Sequence, residues 1–320
     1  MKAKVLLFFY IFIGTMVFTQ NNDDPIIIND AVRLVEYYPG STGISKVALL
    51  EEESKLKFLT NLPILDGATA LYPVYASFVT AVYPRRYYYP YDNDSIVKCS
   101  TTSLAYDNLL EGKVDLIFCT EPSRQHLEKA KELGVEFNLT PIGRDAFVFF
   151  VNKNNPIENL TSLQIRNIYS GEITNWNEIN GIDETIIAYQ RPENSGSQTA
   201  LQVIMEKRQI MEPIKETLAG GMGEIIDRVS SYRNYKNAIG YSFLFFTTEM
   251  VKNQEIKLLG IDGIFPSKET IQNNTYPFSG LFYAVTLGNE TENVRKFINW
   301  ILSAQGQYLI EKTGYVPLGN

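Results

Sequence analysis

Short apolar runs alternate with helical segments along most of the chain, and loops rich in small and hydroxyl residues join them. One such unit is the run V-D-L-I-F-C from Val114 to Cys119, which is followed by Thr120 and then by a helical segment over 123–134. This alternation is typical of α/β proteins, in which helices connect parallel strands. The loops after the strands then gather at one edge of the sheet, where such proteins bind ligands.

The loop that begins at Arg191 has the features of an anion site. Ser195, Gly196 and Ser197 directly precede a segment of good helix formers, which predicts a helix with a serine at its N-cap. The first turn of a helix has unpaired N–H groups and a partial positive charge, and a glycine there lets a small oxyanion approach the backbone. Arg191 can hold two oxygens at once. From these residues alone, an ordinary helix cap beside a surface arginine is the alternative.

Two earlier loops repeat this pattern. Thr69, Ala70 and Leu71 precede Pro73, which suits the first turn of a helix because its missing N–H needs no partner there. The run Ser100 to Ser103 has four hydroxyl residues before a helix that ends near Leu110. We also predict strands over 56–65, 95–99, 185–190 and 238–242, a C-terminal helix over 291–303, and two long strands, 142–152 and 276–286, that cross between two lobes.

The composition fits an exported two-lobed protein. A chain of 320 residues that is 45% hydrophobic can bury a large core. Its net charge of −7 argues against a nucleic-acid or anionic-membrane surface, so an anion site has to be local. Residues 1–19 resemble a secretory signal, with Lys2 and Lys4 before an apolar run too short for a comfortable membrane span. Cys99 and Cys119 fit either a disulfide or two buried thiols.

In its sequence motifs the chain resembles the phosphate-binding proteins of bacterial phosphate ABC transporters, over about residues 58–318. The strongest element is the segment from Asn152 to Ile179, which contains N-P-I-E-N-L-T and I-T-N-W. D-G-A-T-A-L-Y-P resembles the first anion loop of that family, and R-P-E-N-S-G-S resembles its R-x-x-x-S-G-T loop, with Ser197 in the place of threonine.

The resemblance implies a periplasmic-binding-protein-like α/β fold. Each of two lobes is a mainly parallel sheet flanked by helices, and crossing strands join the lobes. We expect a signal peptide over 1–19, a linker or covering segment over 20–56, lobe one over 57–145 plus 277–320, and lobe two over 146–276. The resemblance also implies that lobe one binds the ligand and that lobe two closes over it. The ligand-binding residues carried over are Thr69, Ala70, Leu71, Thr101, Thr102, Glu121, Arg191, Ser195, Gly196 and Ser197.

Two of these positions depart from the family pattern. Thr101 stands where the family usually has glycine, and Glu121 stands where some members have aspartate and others arginine. A carboxylate facing a dianion is repulsive unless a proton lies between them. Phosphate keeps a proton near neutral pH and sulfate does not, so Glu121 would select phosphate, by roughly 2–4 kcal/mol in a dry site. The alternative is that Glu121 caps a strand end or points to solvent.

The resemblance implies an extracytoplasmic, monomeric protein that captures inorganic phosphate for ABC transporter permease subunits, without metal, cofactor or catalytic residues. Membrane contact would require an uncleaved signal anchor. Another tetrahedral oxyanion, or a sensor or adhesin role, would use the same fold. A hydrolase is the main alternative class. We expect His126, the only histidine, to be a surface residue in a polar helix, which leaves no Ser-His-Asp triad. Asp66, Asp115 and Asp145 are expected to be structural.

Overall fold

The computed structural model describes residues 34–40, 45–231 and 236–319. The predicted signal segment over 1–19 and most of the predicted linker lie outside these residues. Among the helices that are described, none has both the length and the apolar character needed to cross a bilayer.

Strands and helices alternate through the first two thirds of the described chain. The strands are β1 Leu65–Gly67, β2 Leu116–Cys119, β3 Asn138–Asn152, β4 Asn159–Leu160, β5 Ile187–Ala188, β6 Ala238–Phe243, β7 Ile256–Leu258, β8 Gly260–Ile261, β9 Ser279–Thr286 and β10 Val316–Pro317. The helices are α1 Tyr72–Val82, α2 Thr102–Leu110, α3 Arg124–Glu132, α4 Ser162–Ser170, α5 Gly196–Ile204, α6 Met222–Ser230, α7 Lys268–Gln272, α8 Glu292–Ile301 and α9 Ala304–Thr313.

The long strand β3 joins two parts of the sheet. Its first half, residues 138–146, pairs with β9, and residues 147–152 pair with β6 and β7. From Ala146 to Asn152 every residue is buried, as expected for a strand covered on both faces. The main path of strands is β1-β2-β9-β3-β6-β5, so β3 carries the chain from one half to the other.

The predicted α/β class and the crossing strands are confirmed. Parallel pairs lie at the two ends of the sheet, β1 with β2 and β5 with β6. The crossing strands β3 and β9 pair antiparallel with each other and with their neighbours, which the α/β alternation did not predict. A chain that passes between two halves and later returns runs in opposite directions, and this return produces the antiparallel centre.

We call the part of the molecule around β1 and β2 the first half and the part around β5 and β6 the second half. The described part of the predicted covering segment packs on the first half. Leu34, Tyr37 and Tyr38 are buried, and the Ala48 N–H donates to Ser77 Oγ on α1 at 3.1 Å. The Lys55 N–H donates to Gln305 Oε1 on α9 at 2.9 Å. These contacts fit a segment that covers lobe one, and the lobe boundaries given above stay a prediction.

Two local predictions were wrong. Residues 56–64 are irregular, because Pro63 has no N–H for a sheet and Leu59 is 84% exposed; only Leu65–Gly67 forms the strand. Residues 95–99 do not form a strand, because only Val97 makes an isolated bridge, to Leu65. The predicted C-terminal helix over 291–303 is confirmed as α8, and a further helix, α9, begins directly after Ser303 and buries Leu309 and Ile310. Gln307 Nε2 on α9 donates to the Ile142 carbonyl of β3 at 3.0 Å, which fixes this helix on the crossing strand.

The Asn152–Ile179 motif that carries most of the resemblance is a structural element. Thr161 and Gln164 form a capping box at the start of α4, and Gly171, with a φ of 79°, ends it. Trp176 is fully buried, and its Nε1 donates to the Asn237 carbonyl at 2.9 Å. The segment therefore specifies the packing of the second half, and within it Arg166 alone lines the cavity described below.

Candidate functional site

All ten predicted binding residues line one cavity of about 780 Å³. Those from β1, α2 and β2 lie on one side, and those from the loop before α5 lie on the other. The residues are Thr69, Ala70, Leu71, Thr101, Thr102, Glu121, Arg191, Ser195, Gly196 and Ser197. The structure therefore brings together side chains that are up to 128 positions apart in the sequence.

Asp66 holds the two loops of the first half in place. Its buried carboxylate accepts from the Gly67 N–H at 2.7 Å, from the Ser100 N–H at 2.8 Å and from Asn108 Nδ2 at 2.8 Å. Burial raises the pKa of Asp66, and the three donors oppose that shift. Because these donors come from β1, from the loop before α2 and from α2 itself, Asp66 positions the first anion loop relative to the second.

The first loop is a short 3-10 turn, Thr69–Leu71, that leads directly into α1. Ala70 and Leu71 are buried, and the hydroxyl of Tyr315 donates to the Ala70 carbonyl. This hydrogen bond fixes the position of the turn, so that its N–H groups and the Thr69 hydroxyl stay at the cavity wall.

Thr101 has an unusual backbone conformation at the start of α2. Its φ is 81° and its ψ is 165°, a region that is populated almost only by glycine. The family resemblance places glycine at this position, and the structure retains the glycine-type backbone with a threonine in it. Strain of this kind costs on the order of 1–3 kcal/mol and is characteristic of ligand-binding sites.

The loop before α5 has the predicted cap. Ser195 is the N-cap, and its Oγ accepts from the Gln198 N–H at 3.2 Å. The Gln198 side chain in turn fixes the backbone of Arg191, because its Oε1 accepts from the Arg191 N–H at 3.0 Å. Tyr241 contributes a second acceptor to the same N–H at 2.9 Å. The helix start and the arginine are thus held as one rigid unit.

Arg191 places a largely buried cation at the cavity. Its Nε and Nη1 are buried and make no hydrogen bond within the described residues, although other atoms of the residue reach the surface. Burial lowers the pKa of Arg191 to about 10, so the guanidinium is still charged at neutral pH. A buried charge without a partner is unfavourable, and an anion in the cavity would satisfy it.

The two halves meet at Thr102 and Gly196. A Cβ placed on Gly196 would lie 2.6 Å from Thr102 Oγ1 and 3.2 Å from Thr102 Cβ. Real Cβ atoms do not approach other atoms this closely, so only glycine allows this contact. The start of α5 therefore reaches the start of α2 directly, and the cavity lies between two helix N-termini.

Two cavity hydroxyls were missed by the sequence reasoning. Thr120 Oγ1 and Thr199 Oγ1 are buried, line the cavity and have no hydrogen-bond partner among the described residues, as is also true of Ser197 Oγ. Thr199 lies three positions after Gly196 and so shares its helix face, which was a usable signal. Thr120 follows β2 at its C-terminal end, where ligand contacts in α/β sheets concentrate.

Four carboxyl groups also line the cavity, those of Glu121, Asp145, Glu193 and Glu206. Glu121 is exposed, and its Oε1 accepts from the Tyr283 hydroxyl at 3.4 Å. Selection of phosphate over sulfate by Glu121 requires a dry site, and water around an exposed carboxylate weakens this selection. Asp145 lies on β3, and its Oδ1 accepts from the Ala146 N–H at 2.8 Å and the Phe245 N–H at 3.4 Å. Burial raises the pKa of Asp145 to about 7, so a proton remains on it up to near neutral pH.

The prediction of a surface His126 was wrong. The residue is 1% exposed, because its ring stacks on Tyr106 and its Nδ1 lies 2.7 Å from Ser123 Oγ. Its Nε2 lies 3.9 Å from Asp107 Oδ1, so a serine, a histidine and an aspartate do come together. Ser123 is the N-cap of α3 and is itself buried, and none of the three lines the cavity. This cluster stabilises the α2–α3 packing.

Cys99 and Cys119 are free, buried thiols, which resolves the alternative left open by the sequence. Burial raises the pKa of the Cys99 thiol to about 12, so neither reactivity nor metal binding is expected of it. Within the described ranges, no group of three or more His, Cys, Asp or Glu side chains is placed to hold a metal ion.

Comparison with known proteins agrees with this architecture. The sequence profile of the PBP superfamily domain matches residues 64–305, about three quarters of the chain. The chain belongs to the PBP superfamily. The matched range begins just before β1 and ends at the start of α9, so it contains every described residue that lines the cavity except Leu34.

Individual members of the PBP superfamily show the same relationship. The chain is 26% identical to the phosphate-binding protein PstS of Borreliella burgdorferi over 187 residues, 56% of this chain and 65% of that protein. It is 25% identical to PstS of Bacillus subtilis over 170 residues, 52% of this chain and 53% of that protein. These alignments span between about half and two thirds of the length of the relatives.

A solved structure covers more of the fold. A Clostridium perfringens protein, described as a phosphate ABC transporter substrate-binding protein and solved with bound phosphate, superposes with a TM-score of 0.62 at 25% identity. The superposition covers 79% of this chain and 98% of that chain. The two-lobed α/β architecture of this chain is therefore that of a known binding protein.

Proposed function

We propose that the chain captures inorganic phosphate outside the cytoplasm and delivers it to the permease subunits of an ABC transporter. The observation that carries this proposal is that Nε and Nη1 of Arg191 and the buried hydroxyls of Thr120, Ser197 and Thr199 all belong to residues lining one cavity and have no hydrogen-bond partner in the part of the chain that the structure describes. A tetrahedral oxyanion satisfies all of these groups at once, because it has four oxygens directed to different sides.

The geometry favours capture by closure of two lobes. Donors from the first half come from the turn at Thr69–Leu71 and from the start of α2, and donors from the second half come from the start of α5. Each helix start contributes free N–H groups and a partial positive charge. Because neither half surrounds the anion alone, affinity requires both, and the hinge would be at β3 and β9.

Binding without chemistry is the favoured role. The buried Ser123, His126 and Asp107 are away from the cavity, and no histidine is among the described residues that line it. The relatives named PstS and the Clostridium perfringens protein are described as binding proteins. A phosphate sensor with the same fold differs only in what it docks to, and a neighbouring permease gene pair would distinguish the two.

Calorimetric titration of ligand-free protein with phosphate, sulfate, arsenate and molybdate tests the proposal. The matched variants are Arg191→Lys and Arg208→Lys; Arg208 is exposed and lies outside the cavity. Lysine cannot reproduce two parallel donors, so Arg191→Lys should weaken every tetrahedral anion by about 1.5–3 kcal/mol, roughly 10- to 150-fold. Arg208→Lys should leave the affinities as they are. Folded, ligand-free protein that does not bind phosphate would contradict the proposal.

A further inference from the structure

The cavity is much larger than the anion that its loops are built to hold. Its volume is about 780 Å³. Phosphate has five heavy atoms; at roughly 30 Å³ each, the volume that a water molecule takes in the liquid, it fills on the order of 150 Å³. Most of the cavity therefore lies beyond the anion loops, and its size is in the range of sites for organic ligands.

An apolar face of α5 leads from the anion loop into this remaining space. Ala200, Val203 and Ile204 lie four, seven and eight positions after Gly196, which places them on one helix face, and all of them line the cavity. The face extends for about 10–12 Å at 1.5 Å per residue. Val203 is 59% exposed, so this part of the face is not used for packing.

The opposite wall is also apolar. Leu104 on α2 and Leu281 on β9 line the cavity and are 42% and 36% exposed. Phe282 of β9 and Phe278, which directly precedes β9, also line the cavity. Three large, exposed aliphatic side chains, on three different elements, thus border the same cavity next to the anion loops. Exposed apolar surface that is gathered in a concave site is characteristic of ligand recognition.

We infer that this site takes a phosphoryl group that carries an apolar organic substituent, as in a phosphate monoester or a phosphonate. The inference rests on the proposed function, because the phosphoryl group would use the same loops. A monoester keeps three free oxygens for Arg191 and the hydroxyls. The fourth position carries the substituent, which lies along Ala200, Val203 and Ile204 and faces Leu104. Binding involves no bond cleavage.

The test is a calorimetric titration of the ligand-free full chain with inorganic phosphate, methyl phosphate and phenyl phosphate. Both esters have the same charge and the same ester oxygen. The difference between their affinities therefore measures only the contact of the substituent with the apolar wall. We expect phenyl phosphate to bind at least tenfold more tightly than methyl phosphate. Val203→Ser should reduce this ratio by about fivefold. The control Leu127→Ser changes a side chain on α3 that is 52% exposed and outside the cavity, and it should leave the ratio unchanged.

The outcomes separate this inference from the proposed function. If phosphate binds and both esters bind more than a hundredfold more weakly, the inference is overturned and phosphate capture stands. If phenyl phosphate is no tighter than methyl phosphate, or if Val203→Ser leaves the ratio unchanged, the apolar wall does not recognise the substituent. If none of the three compounds binds, the proposed function fails as well. Should Val203→Ser not fold, Leu104→Ser tests the opposite wall in the same way.

Discussion

Replacing Gly196 with alanine should weaken phosphate binding, because the added methyl group would keep the two anion loops apart. The new Cβ would lie 2.6 Å from Thr102 Oγ1, and 3.2 and 3.3 Å from Thr102 Cβ and Cγ2. Rotation of Thr102 about χ1 leaves its Cβ in place at 3.2 Å and so does not remove the close contact. Overpacking of this kind costs about 1–3 kcal/mol. That cost falls on the closed state, so affinity should fall roughly 5- to 150-fold.

A double-mutant cycle with Thr102→Ala isolates the contact. Thr102→Ala removes Oγ1 and Cγ2, so adding Gly196→Ala to it should change the calorimetric affinity by less than about threefold. Alanine is also a better helix former than glycine, so at the first residue of α5 it should not lower the melting temperature. The reasoning is refuted if Gly196→Ala binds phosphate like the wild type. It is also refuted if the loss is the same with and without Thr102→Ala.

Three further substitutions test other parts of the site. Glu121→Gln should change phosphate affinity by less than about threefold while raising sulfate affinity; an equal change for both anions in calorimetry would show that Glu121 is not the selector. Thr101→Gly should raise the free energy of unfolding in urea by about 1 kcal/mol, because it relieves the strained backbone, whereas Ser103→Gly within α2 should lower it by a similar amount. Asp145 has a folded pKa of about 7, raised from 3.8, so the unfolded chain loses this proton first and the wild type should lose stability as pH rises from about 4 to 7. The melting temperature of Asp145→Asn should therefore fall less than that of the wild type between about pH 4 and 7. If the melting temperatures of the two proteins change with pH in parallel, the prediction is contradicted.

The sequence was sufficient for the elements that depend on local chemistry. The serine cap of α5 and the hydroxyl-rich start of α2 follow from short-range rules, and both were predicted within two residues. The two crossing strands were predicted from apolar runs long enough to pass through a core. The ten site residues share one cavity because loops at strand ends converge, which the fold class already implies.

What the sequence did not reveal depends on contacts between distant residues. His126 lies in a polar helix, and its burial results from the ring of Tyr106, twenty positions earlier. The presence of a threonine at position 101 does not indicate a glycine-type backbone conformation, because threonine is strained in that conformation. The need for glycine at position 196 depends on Thr102 in the other half of the molecule. The local sequence pattern contains no information on contacts such as those of His126 with Tyr106 and of Gly196 with Thr102.

A crystal structure of the protein at saturating phosphate tests the central claim most directly. The account predicts one tetrahedral anion in the cavity, with its oxygens about 2.7–3.2 Å from the Arg191 guanidinium, from Ser197 Oγ and from the N–H groups of Thr69 and Ala70. An anion bound at a different place, or a cavity that holds no anion when phosphate is saturating, would contradict it.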